Sequence, residues 1–115
     1  MYKVYGIKNC DTVKKALNWL NENNIAFEFH DYKKQGISHE KLEQWLTQTT
    51  WQTLVNKQGT TFKKLSDEEK NAITDNESAI EIMLSKNSII KRPIIEKDSI
   101  FAIGFNQEHY DKTLK

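Results

Sequence analysis

The chain has 115 residues, of which 37% are hydrophobic and 29% charged, with four glycines, one proline, one cysteine and a formal net charge of +1. This length and balance fit one globular domain with a real core, and exclude a disordered chain or one spanning a bilayer. A near-neutral charge excludes the broad basic footprint of a nucleic-acid binder, a lone cysteine excludes an internally disulfide-stapled fold, and no secretory leader is legible at MYKVYGIKNC, so a reducing, cytoplasmic setting is expected.

Tyr2 to Ile7 alternates aromatic and β-branched residues and predicts a strand, which ends in the turn-forming Lys8-Asn9-Cys10-Asp11. Val13, Ala16, Leu17 and Leu20 then fall at i, i+3, i+4 and i+7, one apolar stripe of a helix that stops at Asn23-Asn24. Ile25, Phe27 and Phe29 alternate with Ala26, Glu28 and His30 as a second strand, parallel to the first through a right-handed crossover, before a loop at Gln35-Gly36.

A run of short helices follows. Ser38 caps one bearing Leu42, Trp45 and Leu46, and Trp51, Leu54 and Val55 form a shorter turn before Gly59. Ser66-Asp67-Glu68-Glu69 and Thr74-Asp75-Asn76-Glu77 both fit the S/T-x-x-E capping box, and the second opens a helix with Ile80, Met83 and Leu84 on its buried side. After Arg92-Pro93, Ile94-Ile95 and Ile100 to Phe105 predict an antiparallel hairpin broken at Glu96 to Ser99, and Asn106 caps a last helix with Tyr110 and Leu114.

Cys10 sits between a strand end and a helix start, where N–H groups without intrahelical partners and the positive end of the helix dipole favour a thiolate. Lys8 adds a cation, and Asp11 opposes it by charge or turns inward as an N-terminal cap. The alternative is a small buried hydrophobe, against which the polar flank weighs. Val13 stands where a C-x-x-C motif has its second cysteine, so an outside thiol, glutathione or a glutaredoxin, must resolve a mixed disulfide at Cys10. His30, His39 and His109 share no ligand spacing, so no metal is assigned; His39 and His109 are read as solvated, and Trp19, Trp45 and Trp51 as packing residues.

YGIKNCDTVKKA, HDYKKQGIS, GTTFKKL, IIKRPII and IGFNQEHY together resemble the arsenate reductase-like (ArsC/Spx) family over almost the whole chain, most closely its YffB-type branch. The resemblance implies an α/β, thioredoxin-like fold with a mixed sheet, in which a single domain over 1–115 carries a helical insertion at about 38–87. It implies a cis Arg92-Pro93 bond in a loop beside the cysteine, with Arg92 as an anion-binding guanidinium. The catalytic expectation is therefore Cys10 and Arg92. The substrate-binding expectation is Lys8, Asn9, Asp11, Thr12, Asn56, Lys57 and Pro93, and GTTFKKL is marked as near the site.

Glutaredoxin-linked arsenate reductases carry two further arginines, in the segments that here read Leu54-Val55-Asn56-Lys57 and Gly104-Phe105-Asn106. Neither is present. The leading reading is a glutathione-dependent thiol-disulfide reductase, an oxidoreductase that binds no cofactor, uses glutathione as co-substrate and acts as a monomer without nucleic acid or membrane partners. The alternatives are an Spx-type regulator that binds RNA polymerase, and an arsenate reductase working with glutathione and glutaredoxin.

Overall fold

The computed structural model describes all residues from Met1 to Lys115. They form two compact units, one from residues 1–35 and 92–115, the other from residues 36–91. No helix is long and apolar enough to cross a membrane.

The first unit is built on a four-stranded mixed sheet of order β2-β1-β3-β4, with β1 at Tyr2–Gly6, β2 at Phe27–Asp31, β3 at Ile94–Lys97 and β4 at Ser99–Ile103. β1 and β2 run parallel, as the intervening helix predicts, while β1–β3 and β3–β4 are antiparallel. Helices α1 (Asp11–Glu22) and α8 (Gln107–Thr113) supply the apolar cover for one sheet face. Val13, Ala16 and Leu20 of the predicted stripe are buried and Leu17 is half-buried. Val4, Ile95 and Ala102 of the sheet cluster with Ala16, Trp19, Leu20, Tyr110 and Leu114.

The ends of α1 follow from local chemistry. Lys14 N–H donates to the Cys10 carbonyl at 2.9 Å, so the helix begins at Asp11 with Cys10 itself at the N-cap. At the other end Asn24 adopts a left-handed φ of 56°, and Ile25 N–H returns to the Leu20 carbonyl at 2.9 Å, closing the helix where the asparagine pair predicts. The Arg92-Pro93 bond is cis.

Glu96 departs from its expected place in a polar break. It is the third residue of β3, only 8% exposed, and accepts a hydrogen bond from the Tyr5 hydroxyl at 2.8 Å. The turn is shorter than predicted because Asp98, at φ 67°, reverses the chain almost alone. A helical turn that the sequence does not announce, α2 (Tyr32–Gln35), follows β2; Asp31 starts it by accepting from Lys33 N–H at 2.8 Å.

The second unit holds α3 (His39–Trp45), α4 (Trp51–Leu54), α5 (Thr60–Lys63), α6 (Asp67–Asn71), α7 (Asn76–Ser85) and a 3₁₀ turn at Asn87–Ile89. Ser38 caps α3 by accepting from Lys41 N–H, and Ser66 and Glu69 form the predicted reciprocal box at α6. The box at α7 is displaced by one residue: Asp75, not Thr74, is the N-cap, and Ser78, not Glu77, is its partner. The Asp75 carboxylate takes both the N–H and the hydroxyl of Ser78, while the Ser78 oxygen accepts from the N–H groups of Thr74 and Asp75. Four contacts thus replace the two of the expected pairing. Leu84, predicted buried, is 39% exposed. At 100° per residue the buried Ala79, Ile80 and Met83 define a stripe whose centre lies about 90° from Leu84. Trp45, Leu54 and Ile89 are fully buried in this unit, whereas Trp51 is half-buried under the Lys57 ammonium, 5.7 Å from its ring centroid.

Candidate functional site

Gly6 ends β1, the turn Ile7–Cys10 closes through Cys10 N–H to the Ile7 carbonyl at 3.3 Å, and α1 starts at once. This short passage requires the first turn of α1 to lie against the strand end. A β-carbon at Gly6 would stand 2.9 Å from Val13 Cγ2, so glycine is what lets Val13 come so near. Cys10 is thereby held at the N-cap with extended backbone (φ −105°, ψ 126°), its sulfur on the side where the first helical amides emerge.

The Cys10 thiol is half-buried, and that burial alone would raise its pKa. The opposing influences prevail. The N–H of Val13 acts first, then the Arg92 side chain by hydrogen bonding and by its charge, then the N–H of Thr12, and the thiol titrates below its ordinary value. The thiol does not form a regular side-chain cap hydrogen bond of the kind a serine or aspartate makes. What it meets is a cluster of partial and full positive charge, which favours the thiolate without neutralising it.

The expected residues divide between the two units. Cys10 and Arg92 are brought together in the first. Lys8 and Asn9 lie in the exposed turn before the cysteine, and Thr12 contributes its backbone N–H while its side chain is exposed. Asp11 is the first helical residue and is exposed, not the cap, because Cys10 occupies that position. Pro93 is buried, and its carbonyl accepts from Gly104 N–H at 2.7 Å. Asn56 and Lys57 belong to the second unit, where Asn56 N–H donates to the Ile89 carbonyl at 2.8 Å and Lys57 covers Trp51. In the same unit Thr61 of the GTTFKKL segment shares a hydrogen bond with Ser88 at 2.8 Å.

Four residues near the site form a cluster that the sequence alone does not announce. Tyr5 and Tyr32 stack with ring centroids 6.4 Å apart, His30 packs 4.8 Å from Tyr5, and Glu96 holds the Tyr5 hydroxyl. Burial pushes the Tyr5 and Tyr32 hydroxyls well above the ordinary tyrosine range, and both remain protonated. The one hint in the sequence is a carboxylate directly after the apolar Ile94-Ile95, and its partner is known only once the pairing of β1 with β3 is seen. No group of three or more His, Cys, Asp or Glu side chains is arranged to hold a metal ion.

Residues 5–113 match the model of the ArsC family. A Haemophilus influenzae protein described as uncharacterized is 46% identical over 110 residues, which cover 96% of each chain. The global transcriptional regulator Spx of Streptococcus agalactiae is 28% identical over 102 residues, covering 87% of this chain and 73% of its own. Among solved structures, the YffB protein is 46% identical with a TM-score of 0.92 over the whole of both chains. An arsenate reductase (ArsC) related protein from Brucella melitensis is 43% identical with a TM-score of 0.79, covering 99% of this chain and 94% of its own.

Proposed function

Because the chain belongs to the ArsC family, with the arsenate reductase-like α/β fold, we propose that it is a glutathione-dependent thiol-disulfide reductase with Cys10 as its single nucleophile. The observation that carries this reading is the setting of the sulfur, with the Val13 and Thr12 N–H groups and the Arg92 guanidinium lowering its pKa despite partial burial. A thiolate, not a thiol, is the attacking species in disulfide exchange.

In the proposed cycle the Cys10 thiolate attacks one sulfur of a glutathione mixed disulfide. The substrate S–S bond breaks, a new bond joins Cys10 to the glutathione sulfur, and the substrate thiolate leaves and takes a proton from water. A second glutathione, as thiolate, then attacks the glutathione sulfur of that adduct. Oxidised glutathione departs and the Cys10 thiolate is restored, so the mixed disulfide and one free glutathione thiol become the substrate thiol and oxidised glutathione. Resolution must come from outside because Cys10 is the only cysteine and Val13, three residues on, where a C-x-x-C motif has its second cysteine, is fully buried hydrocarbon. Arg92 holds an anionic group of the substrate or of glutathione, a task suited to a planar fork of donors.

Incubation with oxidised glutathione, followed by mass spectrometry, tests the adduct: one glutathione per chain on Cys10 is expected, with none on Cys10→Ser. Cys10→Ser also abolishes turnover of a glutathionylated peptide. Full activity in that variant overturns the proposal.

A second reading is favoured by the likeness to Spx of Streptococcus agalactiae. On it, the chain is a regulator that docks on RNA polymerase. Position 13 weighs against a dithiol switch of that kind, since a second sulfur is missing there. Retention of polymerase subunits by the immobilised chain, together with no thiol transfer, would favour it. The arsenate reductase reading asks Arg92 to bind the oxyanion without other arginines, because the chain has no second one; arsenate turnover with glutathione and glutaredoxin would favour it.

A further inference from the structure

β1 and β2 run parallel and their last pair is Gly6 with Asp31, so both chains leave the sheet at the same end, the end that carries Cys10. Lys8 follows Gly6 by two residues, and Lys33 and Lys34 follow Asp31 at once in α2. Lys14 and Lys15 stand one turn into α1, where Lys14 N–H bonds the Cys10 carbonyl at 2.9 Å. All five lysines are exposed, and none of their ammonium groups is held in an ion pair. The carboxylates at this end do not offset them. Asp31 is 7% exposed and accepts from Lys33 N–H, and Glu108, in the first turn of α8, is bridged by Lys112 at 3.2 Å. Asp11 is left as an exposed acid among them, while Glu28 lies three residues back along β2 and Glu22 and Asp98 lie at the opposite end of the sheet. The whole chain has a net charge of +1, so this excess of positive charge is local to the Cys10 end.

We propose that Lys8, Lys14, Lys15, Lys33 and Lys34 form a docking surface for an acidic protein segment, and that the substrate of Cys10 is a glutathionylated cysteine within such a segment. The proposal rests on the reading of Cys10 as the nucleophile of a thiol reductase. Unpaired ammonium groups spread over a turn, a helix and a second helical turn do not converge on one point, as the binding of a small oxyanion requires. They match a chain of carboxylates instead. Each ammonium is a mobile point charge, so the surface selects by net charge and speeds encounter more than it fixes one geometry. A nucleic acid would meet the same charge but brings no sulfur to the thiolate. In the transfer step the Cys10 thiolate bonds to the glutathione sulfur, the bond from that sulfur to the substrate cysteine breaks, and the substrate thiolate leaves and takes a proton from water.

The test is single-turnover transfer of glutathione to the reduced full chain from three peptides of equal length, each with one glutathionylated cysteine flanked by aspartates, by serines or by lysines. Mass spectrometry of Cys10, the only thiol of the chain, follows the adduct. The acidic peptide should react about tenfold faster than the serine peptide at low ionic strength, where the Debye length is about 30 Å, and the lysine peptide slowest. In molar salt, where that length is about 3 Å, the three rates should converge. Lys33→Gln/Lys34→Gln should lower the ratio of acidic to serine rates severalfold, and Lys33→Arg/Lys34→Arg should keep it. The ratio cancels any effect of a substitution on the sulfur itself. Equal rates for the three peptides at low salt would overturn the proposal and leave the thiol reductase standing, as would a preference that the Gln pair does not weaken. Tighter binding of a single-stranded oligonucleotide than of the acidic peptide would overturn it in favour of a nucleic-acid surface. No transfer from any peptide would remove the reductase reading, and the proposal with it.

Discussion

Gly6 and Val13 approach so closely that a β-carbon on the first would lie 2.9 Å from a methyl of the second. Val13 is fully buried and β-branched, so its side chain has little freedom to yield. Gly6→Ala should therefore destabilise the protein by about 1–3 kcal/mol through overpacking. It should also raise the Cys10 pKa, because the Val13 N–H moves with its side chain. Denaturant unfolding together with thiolate titration checks both effects.

The lowered Cys10 pKa has a definite consequence for stability. A thiol whose folded pKa is depressed stabilises the fold when ionised, fully above the unfolded value of about 8.5, and loses that contribution as pH falls through the folded value. Reduced wild-type protein should thus gain stability over Cys10→Ser as pH rises through that window. Thermal midpoints of the two proteins measured across the window should diverge towards alkaline pH.

The opposite sign applies in the second unit. His39 Nδ1 lies 2.8 Å from Glu43 and Nε2 lies 3.6 Å from Glu77, joining α3 to α7. Burial, slight here, acts to lower its pKa, but the two carboxylates outweigh it and the pKa is raised. The stabilisation is complete below the unfolded value of about 6.5 and is lost as pH rises through the folded one. His39→Gln should be less stable than wild type in mild acid and close to it above neutrality, with denaturant midpoints at two pH values as the measurement.

Gly104 combines a left-handed φ of 81° with open space, since a β-carbon there meets nothing within 4 Å. Any cost of Gly104→Ala is therefore backbone strain, about 1–2 kcal/mol. The position is fixed on both sides, by its N–H to the Pro93 carbonyl at 2.7 Å and by the Tyr110 hydroxyl to its own carbonyl at 2.6 Å. Tyr110→Phe should cost about 1 kcal/mol in the same unfolding experiment.

The parts of this fold that were legible beforehand are those where one physical preference acts locally. A single stripe from Val13 to Leu20 announces α1, the asparagine pair announces its end, and hydroxyl caps announce α3 and α6. Where two local solutions compete, as between Thr74 and Asp75 for the start of α7, the richer hydrogen-bond set prevails and the boundary moves. Glu96 was opaque for a different reason. A carboxylate reads as solvent-facing unless its partner is known, and Tyr5 is distant in the sequence. At the site, Cys10 announces itself through the strand–turn–helix pattern, but the closeness of Arg92 came from family resemblance, since no periodicity links the two. The neighbours of Tyr5 depend on strand register, which a pattern of alternating residues does not specify between strands.

The first unit is made of two stretches of chain separated by residues 36–91. During synthesis Cys10 leaves the ribosome early, together with the helix amides that act on it, whereas β3, β4 and Arg92 emerge only near the end. Pairing of β1 with β3 is accordingly among the most sequence-distant contacts in the molecule, of the kind that sets a slow pace for completing a sheet. A nascent chain thus displays its sulfur with only part of its electrostatic surroundings, which are complete only when translation has delivered the guanidinium.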